Sequence, residues 1–117
     1  MNKCNFIICG KRGEYIPDPK KRFLDINDIP ISNDISLVGL LLVVLEKSIL
    51  TIGSQSAVPN ISLLRGVEVL EFGHQKKLHT ITYNIKNTPI TFIEDMKYNI
   101  EPELIFKKFK SMILKKL

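Results

Sequence analysis

Two β-rich runs, each closing on glycine with one short helical segment between them, constrain this chain more than any other feature. "ILTIG" (49–53) runs into Gly-Ser-Gln-Ser, and "VEVLEFG" (67–73) ends the same way. Between them, "SAVPNISLLRG" has the composition of a short helix. Pro59 is tolerable in a first turn, where the N–H has no intrahelical acceptor. Gly66 suits the left-handed position just past a helix end. A strand, a helix and a strand in this order predict a parallel pair with the helix crossing over it.

The rest of the chain extends that pattern. "NFIICG" (5–10) reads as a first strand and "KRGEYIPDPKKR" (11–22) as a charged, proline-broken loop. "RFLDIND" (22–28) reads as a weaker strand closed by Pro30. Ser32, Asn33 or Asp34 can then cap a helix running to about Lys47. That helix contains "ISLVGLLLVVL" (35–45), apolar around nearly its whole circumference, which predicts a buried helix. The segment at 74–88 is less regular, with an extended piece at 80–83, and "PITFIED" (89–95) reads as a last strand. From Pro102 to Leu117 the pattern is an amphipathic helix, with Ile105, Phe109, Met112 and Ile113 on one face. The expected fold is therefore α/β: three layers, a mainly parallel sheet of about five strands, and helices on both faces. Right-handed crossovers then fix most of the topology.

At 117 residues the chain fits one domain, a single Rossmann-like lobe over 1–117. The apolar run at 35–45 is far shorter than the ~20 residues of a membrane span. Cys4 and Cys9 would point to opposite faces of a strand. With no disulfide and no ligand cluster expected, they predict no metal site and a reduced, cytoplasmic setting. His79 stands five residues from His74, a spacing that makes no standard metal pair. The formal charge of +5 fits an anionic partner, whether nucleotide, nucleic acid or phospholipid surface. It fits a merely basic surface as well. "FKKFKSMILKK" interleaves aromatic and basic residues, but helical spacing sends the aromatics to the core, which argues against nucleic acid.

In open parallel sheets, ligands bind outside the carboxyl ends of the strands. Three segments reach that edge: Gly10 before Lys11 and Arg12, Gly53 before Ser54, Gln55 and Ser56, and Gly73 before His74. The helix after "GSQS" offers unpaired N–H groups and a partial charge of ~0.5 unit, an arrangement that receives phosphate. Ser54 and Ser56 either add hydroxyl donors to it or simply cap the helix. Lys11 and Arg12 can neutralise a diphosphate or stay as solvated loop charges. His74 can donate to a phosphate or bond a nearby backbone group. Neither a Walker lysine nor a dinucleotide glycine spacing is present.

"LTIGSQSAVPNISLLRGVEVLEFGHQ" (50–75) resembles the donor-binding, C-terminal half of GT-B type glycosyltransferases, in the heptosyltransferase-like branch. That family has a strand, an Asp-Ser-Gly-x-x-His type turn, a short helix, Gly, and a strand ending in Phe-Gly. Here Gly53 stands at the Asp position, Ser54 matches Ser, Gln55 replaces Gly and Val58 replaces His. Phe72-Gly73 matches, and "IICGKRGEYI" (7–16) resembles the strand and loop opening the same half. The resemblance implies a lobe that binds a nucleotide-diphosphate sugar and needs no further cofactor. Gly53, Ser54, Gln55 and Ser56 would cradle the diphosphate, Lys11 and Arg12 would supply countercharge, and His74 would bond a phosphate or sugar hydroxyl. It does not imply catalysis, because family members act in a cleft between two lobes and no catalytic residue can be assigned here. A fragment, a subunit completed by a second lobe or second copy, and a degenerate relative all fit. A non-enzymatic protein-interaction module of α/β fold is the other reading.

Overall fold

The computed structural model describes residues 4–9, 23–30, 36–73, 84–94 and 100–116. The loop at 11–22, the caps proposed at Ser32, Asn33 or Asp34, and the extended piece at 80–83 lie outside them. By contacts the chain divides into two compact units, Met1–Val43 and Val44–Leu117.

In the first unit, β1 (Ile7–Ile8) pairs in parallel with β2 (Leu24–Asp25). Both are shorter than the apolar runs that announced them. β2 stops because Asp25 turns the chain: its Oδ1 accepts from the backbone N–H and the side-chain amide of Asn27, both at 2.8 Å. This caps a single 3-10 turn at Ile26–Asp28, whose Ile26 is buried. The Phe6 and Phe23 rings meet edge to face at 5.6 Å. Cys4 and Cys9 are both free thiols. Burial, reinforced by the nearby Asp25 carboxylate, pushes the Cys9 thiol above its ordinary pKa of 9.0.

Helix α1 (Leu37–Lys47) begins inside the first unit and ends inside the second. Its cap is Ser36, whose Oγ accepts from the Gly39 N–H at 3.0 Å. The expectation of a helix buried all round is corrected. Leu45 is buried, whereas Leu37, Val38 and Val43 are exposed. Composition reports how apolar a helix is, not how many sides are covered.

The second unit is built on a parallel three-stranded sheet, ordered β3 (Thr51–Ser54), β4 (Val69–Gly73), β5 (Ile90–Glu94). Thr51 pairs with Val69, and Val69 with Ile90. Between β3 and β4 lies α2 (Ala57–Leu64). Its end is a Schellman motif: Val67 N–H donates to the Ser62 carbonyl at 2.9 Å, and Gly66 N–H to Leu63 at 3.1 Å. Gly66 sits at φ +79°, the left-handed conformation expected of it. The α2 side of the sheet is pinned by a buried polar pair, Ser62 Oγ lying 2.8 Å from Thr51 Oγ1. Along β4 alternate side chains face opposite ways. Leu70 therefore points away from α2, into a core with Ile93 and Met112. Met112 comes from α3 (Pro102–Lys116), and Ile105 and Phe109 of that helix pack against the same core. Phe106 departs from the sequence reading: it is 56% exposed rather than turned to the core.

The chain is thus α/β with parallel sheets. The expectation of one sheet of about five strands with helices on both of its faces is corrected, because the described strands divide into a pair and a triplet. Hydrophobic patterning identifies strands but does not encode which edges meet.

Candidate functional site

The candidate site is the turn from β3 into α2. Parallel pairing places the carboxyl ends of β3, β4 and β5 along one edge, Ser54 beside Phe72 and Gly73 beside Glu94. The sequence-nominated residues of the turn take distinct places there.

Gly53 is half-buried opposite Glu71. A Cβ at position 53 would lie 3.0 Å from Cγ of Pro59, a residue that is itself fully buried. The missing side chain therefore lets the first turn of α2 press onto β3. Gly73 plays a matching part at the end of β4. A Cβ there would fall 2.7 Å from Oε1 of Gln55, so the Gln55 side chain lies against the backbone of Gly73. Glycines at a strand end permit close approach to the backbone. The approach they permit is made by the chain's own Pro59 and Gln55.

Ser54 is exposed at the end of β3. Ser56 holds the N-cap position of α2 with extended backbone, φ −154° and ψ −176°. Its side chain makes no capping bond. Instead its Oγ donates to the carbonyl of Ser54 at 3.2 Å. In the first turn Pro59 has no N–H, and Asn60 N–H reaches the Ser56 carbonyl at 3.5 Å. The N–H groups of Ala57 and Val58 have no intrahelical acceptor. They carry the positive end of the α2 dipole beside two exposed serine hydroxyls.

Lys11, Arg12 and His74 lie outside the described residues, so the turn is the part of the nominated set whose geometry is defined. One polar residue, Asn60, went unnoticed in the sequence, and another, Glu71, reads there only as a carboxylate for a neighbouring lysine. Asn60 Oδ1 is buried without a hydrogen-bond partner among the described residues. Glu71 is wholly buried at the middle of the central strand and is engaged in a polar interaction within the fold. Alternation along "VEVLEFG" contains Glu71 but gives no sign that both faces of β4 are covered. Among the described residues no cluster of His, Cys, Asp or Glu could hold a metal ion. No helix among them is long and apolar enough to cross a membrane.

No protein-family model, no curated protein and no solved structure matches this chain.

Proposed function

We propose that this chain is the nucleotide-sugar-binding lobe of a glycosyltransferase, a small Rossmann-like unit that is inactive alone. The observation that carries the reading is the uncapped start of α2. Two amide donors, Ala57 and Val58, open beside Ser54 and Ser56 at the carboxyl edge of a parallel sheet. The likeness of residues 50–75 to a glycosyltransferase donor half supports the same ligand. In this reading Ser54, Gln55 and Ser56 surround the diphosphate, while Gly53 sets the approach of the helix. Lys11 and Arg12 add countercharge, and His74 bonds a phosphate or a sugar hydroxyl. The protein works in the cytoplasm, where nucleotide sugars are the donor, and a second lobe or a second copy completes the cleft.

The test is titration of the folded protein with nucleoside diphosphates and diphosphate sugars by calorimetry. Saturable binding is expected. Ser54→Ala and Ser56→Ala are each expected to weaken it by about 1 kcal/mol, the scale of one neutral hydrogen bond. Unchanged affinity in the double variant would remove the turn as the seat.

A protein-interaction module is the second reading, and exposed Leu37, Val38 and Val43 on α1 favour it. Self-association in the ultracentrifuge with no response to nucleotide would replace the first reading by this one.

A further inference from the structure

The outer face of α3 has a composition that a purely structural helix does not require. Leu104, Lys107, Lys108, Ser111, Leu114 and Lys115 follow the three-to-four spacing of a single helical stripe, and all six are exposed. The opposite face is held down by buried Met112 and Ile113, and by an ion pair between Lys116 and Glu68. The lysine stripe therefore points to solvent while the helix stays anchored.

Charge and apolarity coincide on that stripe. The helix carries five lysines and one acidic residue, Glu103, which sits in its first turn. Leu104 and Leu114 remain 42% and 65% exposed, at the two ends of the stripe. Ten residues of helix separate them by about 15 Å. Phe106 flanks the stripe at 56% exposure, with Lys110 Nζ 5.6 Å from its ring centroid.

The geometry points to α3 as a surface that docks on an anionic lipid bilayer, lying in the plane of the headgroups. Lysines are the complement of phosphate and carboxylate headgroups, each contributing about a five-fold gain in affinity near such a surface. Leu104 and Leu114 gain by entering the acyl boundary, and the lysine stems can reach back to the headgroups. Those leucines also separate lipid from nucleic acid. A leucine has no π-face for a base to stack on, and the exposed ring of Phe106 already has the Lys110 ammonium 5.6 Å from its centroid. This placement does not depend on a nucleotide site.

The full chain should co-float with vesicles of phosphatidylcholine containing phosphatidylserine or phosphatidylglycerol, and not with phosphatidylcholine alone. Reversing three exposed lysines together, Lys107→Glu, Lys108→Glu and Lys115→Glu, should lower vesicle affinity roughly 100-fold or more. Circular dichroism should show the fold unchanged. Leu104→Ser with Leu114→Ser should weaken binding that persists at high salt. The proposal is overturned if the chain ignores anionic vesicles or binds both vesicle types alike. It is also overturned if the leucine changes have no effect, or if the chain retains oligonucleotides at low salt while leaving the vesicles unbound.

Discussion

At the scale of single residues, two glycines and a thiol show how local packing decides what a side chain can do. Gly53 meets the ring of Pro59, which is fully buried and part of α2. Gly73 meets the far end of Gln55, a flexible side chain. Gly53→Ala should therefore be the costlier change, losing about 1–3 kcal/mol through overpacking. Gly73→Ala should cost less, because Gln55 can swing aside. Urea denaturation of the two variants checks the order, and an equal or larger loss at Gly73 would contradict it. Cys9 makes a pH prediction. Its native pKa lies above 9.0, so between the two values the native state holds more protons than the unfolded state. Its contribution to stability is complete below pH 9.0 and declines as pH rises through the raised native value. At pH 8 iodoacetamide should label native Cys9 more slowly than Cys9 in urea, with mass mapping separating it from Cys4. Equal rates would count against the burial that sets the shift.

At the scale of elements, the helices and strands were legible where the signal is local. The α2 boundaries, Gly66 in the left-handed conformation, and Pro102 opening α3 are all written in short-range chemistry. The amphipathic stripe of α3 also places Met112 and Ile113 inward. Capping was less legible, because several hydroxyls compete for each helix start. Ser36 caps α1, whereas Ser56 occupies the cap position of α2 and spends its hydroxyl on Ser54. Ser36→Ala should therefore cost about 1 kcal/mol. Ser56→Ala should cost less than half of that, by roughly the same scale. Thermal or urea melts compare them, and a full capping loss at Ser56 would mean that the first-turn amides are already satisfied by that side chain. The 3-10 turn after β2 was missed because "RFLDIND" alternates like a strand, and only Asp25 bonding to Asn27 breaks it.

At the scale of the whole molecule, patterning identified the α/β class and the parallel pairing of β3 with β4. It did not show that the described strands form a pair and a triplet, since edge pairing depends on contacts distant in sequence. Nor did it show that the openings left by Gly53 and Gly73 are occupied from within. The site remains legible in one respect: hydroxyls and a helix start converge on the carboxyl edge of the sheet, as the Gly-Ser-Gln-Ser run announced.

The central claim is that bare peptide donors at the head of α2 receive negatively charged oxygens. The most direct measurement is an amide-resolved NMR titration of the folded chain with a nucleoside diphosphate. Saturable shifts concentrated at Ser54, Gln55, Ser56, Ala57 and Val58 are predicted. An unperturbed spectrum at millimolar ligand, or shifts elsewhere with this turn silent, would contradict it.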